Sequence, residues 1–290
     1  MTADDRREFR ENLRWPEAHE EAAYGPEMIA QVRDAARILL EPWPWPRADG
    51  ERGLLYTAPR SDDRVPLYRS GDPASADPLA QLGAVRARIL LHAWSARDSL
   101  PPLPAWVPPR SFWTQALAVG LVTAHLQTDA DANVHLARVD AFNAGFLHDA
   151  GILLLDPGLA ETAVHHGRTH GLTFATAWSA CHPEAADAPA RASADFARTW
   201  STYLEGSATS AAAALIPHAE SRLPAAVRVA RALVALRRMR APCDHADPPL
   251  LEADLKDLGF TPETLADLFT DLAEITSRAR RLLPHLRRAG

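Results

Sequence analysis

The chain has 290 residues, 47% of them hydrophobic and 23% charged, with a net charge of -6 at pH 7. That composition fits a soluble globular protein with enough apolar residues for a sizeable core in one or two domains. It argues against a broad basic surface for nucleic acid, and no run approaches the ~20 apolar residues of a membrane span.

Residues 1–22 are charged, with a weak helical pattern from Phe9 to Leu13, and suit a surface helix or a mobile arm. They contain no apolar stretch of the kind a signal peptide needs, so a cytoplasmic protein is expected. Met28, Val32, Ala35, Ala36 and Leu39 predict a helix over about 26–41, opened by Pro26 and closed by Pro42. Pro-Trp-Pro-Trp-Pro (42–46) is read as a rigid connector with its rings packed, or alternatively as a peptide-binding surface. Residues 47–76 are rich in Asp, Arg, Ser, Pro and Gly, and 53–57 is the one weak strand.

Asp77-Pro78 opens a helix with Leu82, Val85, Ile89 and Trp94 on its apolar side. The proline-rich stretch 100–109 is the candidate boundary. It gives an N-terminal part (1–76), a connecting helix and linker (77–110) and a main domain (111–285). In that domain helices are predicted over 111–127, 133–148, 157–168, 172–181, 190–204, 207–216, 223–240 and 250–257, with a polar turn at 128–132. Thr261-Pro262-Glu263 then starts a last helix with Leu265, Leu268, Phe269, Leu272 and Ile275 on one face. The fold class is all-α, with no internal repeat.

The chemistry concentrates in Phe142-Asn-Ala-Gly-Phe-Leu-His148-Asp149-Ala-Gly-Ile-Leu-Leu-Leu-Asp156. A His-Asp pair at the end of an apolar helix is costly to bury unless it is hydrogen-bonded or holds a metal. Imidazole and carboxylate together suit a divalent first-row metal. Around the pair stand Phe112-Trp-Thr-Gln-Ala-Leu-Ala-Val119, Arg198-Thr-Trp200 and Leu258-Gly-Phe-Thr-Pro-Glu263, with Leu82-Gly83 and Arg86 upstream. In order and spacing these segments resemble the HDOD subfamily of the HD superfamily of helical phosphohydrolases, over about residues 77–275.

The resemblance implies an HD/HDOD-like helical bundle with a short N-terminal helical segment. In such bundles a metal is held by a His from one helix, the His-Asp doublet from a second and an Asp from a late helix. The chain departs from that pattern. Gln115 stands at the first His, Pro189 near a second, a single His218 where a doublet is expected, and Arg231 at the late Asp. Gln115 shares a helical face with Val119, Val122 and Leu126, so it is expected to point inward. Arg231 falls on the apolar face of Val227 and Val234. Arginine cannot ligate a cation, but it could replace the metal's charge by pairing with Asp149. The expected network is Gln115, His148, Asp149, His218 and Arg231, closed by an Arg231–Asp149 salt bridge. The alternative sends Arg231 to solvent.

These departures imply a catalytically degenerate HDOD-like protein of bacterial signal transduction. It would have no metal cofactor and would bind a protein partner or a nucleotide second messenger. The alternative is a metal-dependent phosphohydrolase or phosphodiesterase with Fe, Mn or Zn on His148, Asp149, His218 and His166, or on His165 or His170 in place of His166. No membrane or nucleic-acid partner is expected, and nothing signals an oligomeric state. Cys181-His182 with Cys243-Asp-His245 matches no compact zinc spacing, and Cys181 lacks a recognisable base for nucleophilic work. There is no Gly-rich phosphate loop. The basic clusters Arg237-Arg238-Met-Arg240 and 278–288 suit helix C-termini, or alternatively an anionic partner.

Overall fold

The computed structural model describes residues 25–40, 52–53, 56–57, 77–82, 84–126, 134–201 and 223–286. Segment 1–22, the Pro-Trp segment 42–46, most of 47–76, the turn at 128–132, the helix predicted at 207–216 and His218 lie outside the described residues. The protein is all-α. Among the described residues the helices are α1 Pro26–Leu40, α2 Pro78–Leu82, α3 Ala84–Ser99, α4 Pro109–Leu126, α5 Val134–Leu147, α6 Pro157–His170, α7 Phe174–Cys181, α8 Ala188–Ser201, α9 Leu223–Leu236, α10 Glu252–Asp257 and α11 Pro262–Leu286. Short 3-10 turns occupy Ala150–Leu154 and Pro183–Ala185. The weak strand signal coincides with a two-residue antiparallel ladder, Arg52–Gly53 against Tyr56–Thr57.

The chain divides into two compact units, one of residues 1–95 with 284–290 and one of residues 96–283. The division falls within α3, and the proline-rich stretch 100–109 lies inside the second unit. In the first unit α1 packs on α2. Ile29, Val32, Ala35, Ala36 and Leu39 are buried, so the stripe runs through Ile29 and leaves Met28 half-buried. Arg33 of α1 bonds both oxygens of Asp77, which also accepts from Leu79 N.

The second unit is built on α4. Every residue from Phe112 to Gly120 is buried, as expected of a helix that is apolar on most of its surface. It packs on α5 and α9; α5 and α9 also touch each other. The α4–α5 contact is close because two glycines meet there. A Cβ on Gly145 would overlap Thr123 Oγ1 and stand 2.8 Å from Val119 O and 2.9 Å from Gly120 Cα. A Cβ on Gly120 would stand 2.8 Å from the Phe142 ring. Trp113, Phe142 and Phe146 stack along the same seam.

Helix α9 stops at Leu236, earlier than the 240 its basic run suggested. Met239 N bonds Val234 O and Arg238 N bonds Ala235 O, with Arg238 at φ 58. This is a Schellman ending in which arginine fills the position glycine usually takes. It turns the chain back at 239–245. On α11, Leu268, Leu272 and Ile275 are buried, but Phe269 is 43% exposed, one position beyond the buried stripe.

The glycine seam makes a stability prediction. Gly145→Ala should cost about 1–3 kcal/mol through overpacking, because the atoms in the way include backbone. Urea unfolding checks it, and a neutral substitution would show that the helices separate freely.

Candidate functional site

α5 ends at Leu147, so His148 and Asp149 sit in the turn that follows it, ahead of the 3-10 segment Ala150–Leu154. Ser193 of α8 fixes this turn from outside. Its hydroxyl donates to His148 O (3.0 Å) and accepts from Gly151 N (2.6 Å). Gly151 admits this approach only because it lacks a side chain. A Cβ there would overlap Pro189 O and stand 2.6 Å from Ser193 Oγ. The Ala-Gly after the His-Asp pair is thereby explained. Pro189, which stands in place of an expected histidine, supplies the backbone that packs on it.

The imidazole is held at both nitrogens. His148 Nδ1 lies 2.6 Å from Gly145 O. A carbonyl can only accept, so the proton is on Nδ1 and Nε2 faces the site. Nε2 lies 3.0 Å from Gln115 Nε2 of α4 and 3.0 Å from Asp149 Oδ2. In a neutral ring Nε2 accepts from the Gln115 amide. In an imidazolium it donates to Asp149, and the amide would turn its oxygen to the ring. Gln115 Oε1 is buried and has no hydrogen-bond partner among the described residues.

The cation comes from α9. Arg231 is 19% exposed in its side chain, so it is directed inward and not to solvent. The expected Arg231–Asp149 ion pair is present but long, and a second carboxylate joins it. Arg231 Nη2 lies 4.0 Å from Asp149 Oδ1, an ion-pair distance without a hydrogen bond, and donates at 2.6 Å to Asp244 Oδ2. Asp244 is brought in by the turn that ends α9, its side chain is 1% exposed, and its other oxygen accepts from Phe174 N at the start of α7 (2.7 Å). Beside it, His245 N donates to Leu172 O (2.9 Å).

Burial works against ionising Asp149, but Arg231 and then His148 outweigh it and hold its carboxyl well below the usual value of 3.8. For Asp244 burial prevails, with Asp149 adding to it, and the carboxyl is pushed up despite Arg231. Burial would lower the Arg231 pKa, yet Asp149 and Asp244 together raise it. The Cys243 thiol is pushed up by burial and by both carboxylates. One guanidinium thus serves two carboxylates. At 4 Å a full charge pair attracts by about 4 kcal/mol at an effective dielectric near 20, so the longer contact to Asp149 still counts.

Gln115, His148, Asp149 and Arg231 are therefore brought together, with Asp244 and Ser193 added. His166 is not; it meets His170 on α6. Among the described residues no group of three or more His, Cys, Asp or Glu side chains is placed to hold a metal ion. The donor chemistry of His148, Asp149 and Asp244 would suit a divalent cation, but a guanidinium stands between the two carboxylates. Asp244 was visible in the sequence only as the middle of Cys243-Asp-His245. Its place in an aperiodic loop hid its link to Arg231. Ser193 gave no signal beyond a helical hydroxyl.

Removing the cation should leave two buried carboxylates uncompensated. Arg231→Met is expected to lose about 3–5 kcal/mol in urea unfolding, and adding Asp149→Asn should recover part of the loss. The pH dependence has a definite sign. Asp149 is depressed in the folded protein, so its stabilisation is present above pH 3.8 and lost as pH falls below it. Asp149→Asn should flatten the acid limb of stability against pH; an unchanged limb would place the acid sensitivity elsewhere. The chain matches no protein-family model, no curated protein and no solved structure.

Proposed function

We propose that the chain is a catalytically degenerate HDOD-like regulatory protein that acts by binding a protein partner or a nucleotide second messenger. The observation that carries this reading is the Arg231 guanidinium between Asp149 and Asp244. A fixed positive charge there meets the need that a divalent metal meets in an HD-type phosphohydrolase, but without an open coordination position for substrate or water.

Two further points support the reading. The Nε2 of His148, the atom that would ligate metal or take a proton, faces the Gln115 amide and Asp149 Oδ2, each 3.0 Å away. Asp244 ties Arg231 to the backbone of α7, so the cation is part of the scaffold. No described helix is long and apolar enough to cross a membrane; action in the cytoplasm belongs to the proposal.

Metal analysis of the purified protein, paired with hydrolysis of bis-p-nitrophenyl phosphate, tests it. The expected result is no Fe, Mn or Zn that depends on His148 and no hydrolysis above that of His148→Ala. Stoichiometric metal lost in His148→Ala, together with phosphodiester cleavage, would overturn the proposal in favour of an active phosphohydrolase. The double variant Gln115→His with Arg231→Asp should gain His148-dependent metal binding, read by the same analysis.

A further inference from the structure

The last turn of α6 carries two imidazoles that take no part in the buried network. His166 and His170 are four residues apart, which places them on one stripe of the helix. Their ring centroids are 4.4 Å apart. His170 is exposed and His166 half-buried. Among the described residues neither ring has a hydrogen-bond or ion-pair partner.

We infer that His166 and His170 form a chelating site for a late first-row divalent cation, with Zn2+ as the reference ion. Imidazole nitrogen is a preferred ligand for Zn2+, Ni2+ and Cu2+. Two nitrogens on one zinc, each about 2.0–2.1 Å from it, lie roughly 3.3 Å apart in tetrahedral geometry. Rings 4.4 Å apart on a solvent-facing turn reach that spacing by side-chain rotation alone. The helix holds both ligands in place beforehand, so the second nitrogen binds without ordering a loop.

The electrostatic setting favours a cation. The turn is the C-terminal end of α6, where the carbonyl groups carry the negative end of the helix dipole. It is closed firmly, since Gly171 takes the left-handed conformation at φ 63 and its N–H bonds Gly167 O. Arg168, the nearest cation in sequence, lies about 200° round the helix from both imidazoles, so its charge points away. His165 is a sequence neighbour of His166 but lies on a different stripe. Protein supplies two ligands and leaves the remaining positions to water, so the site is one of exchangeable loading.

The site is independent of the His148 network, and the experiment keeps the two apart. Purified full-length protein is titrated calorimetrically with Zn2+ alone, alongside His166→Ala, His170→Ala, His165→Ala and His148→Ala. The expected result is a site in the wild type that weakens by more than about tenfold in either His166→Ala or His170→Ala, tenfold being the least that losing even an outer partner of a ligand typically costs. His165→Ala and His148→Ala should titrate as the wild type does. Zn2+ should raise the melting temperature of the wild type and not of the two deficient variants, while the metal-free melts of His165→Ala, His166→Ala and His170→Ala coincide with that of the wild type if folding is intact. No binding by the wild type, unchanged binding in both His166→Ala and His170→Ala, or an equal loss in His165→Ala would overturn the inference. A loss confined to His148→Ala would overturn it too and would move the metal to the network.

Discussion

The second unit depends on one guanidinium. Arg231 lies between a carboxylate at the end of α5 and a carboxylate in the loop after α9. The His148–Asp149 turn, the face of α9, and the Cys243–His245 loop with the start of α7 attached to it meet at this charge. Burial works against ionising either carboxylate, and Arg231 opposes it at both. Their dependence on a common partner couples the segments.

The sharing is unequal. Asp244 has the short bond and Asp149 the long one, yet Asp149 is the carboxyl held low and Asp244 the one pushed up. The difference lies in what else each group meets. Asp149 has His148 beside it as a second positive or donating group, whereas Asp244 has Phe174 N, Arg231 and the repulsion of Asp149. The network therefore has a direction. The donors and positive groups gather on the side of the imidazole, and the hydrogen-bonded anchor is on the side of the loop.

Much of this was legible in the amino-acid sequence, and the reasons differ by element. The helices could be read because apolar residues recur at helical spacing and because prolines mark their starts. Gln115 and Arg231 could be assigned to inward faces by the same periodicity. The end of α9 could not be placed, because no glycine or proline interrupts Leu236-Arg-Arg-Met-Arg240. The backbone turned there by putting Arg238, an unfavourable residue, at positive φ. The second partner of Arg231 was hidden for a related reason. Asp244 reaches it through that turn, and a loop has no period to count. Ser193 belongs to the same class, since its two bonds to the His148–Gly151 turn depend on the tertiary approach of α8. Sequence pattern reveals faces, and it does not reveal which loop closes over them.

Gly145 links the packing of the helices to the chemistry of the turn. Its α-carbon forms the close approach between α4 and α5, and its carbonyl oxygen orients the His148 ring through Nδ1. Gln115, which meets the other side of that ring, rides on α4. The imidazole is thus clamped between the two helices whose separation the glycine sets, and it works as a gauge of that separation. Any partner that pries the helices apart by even a fraction of an ångström would lengthen one of its two contacts, translating a mechanical displacement into a local electrostatic one.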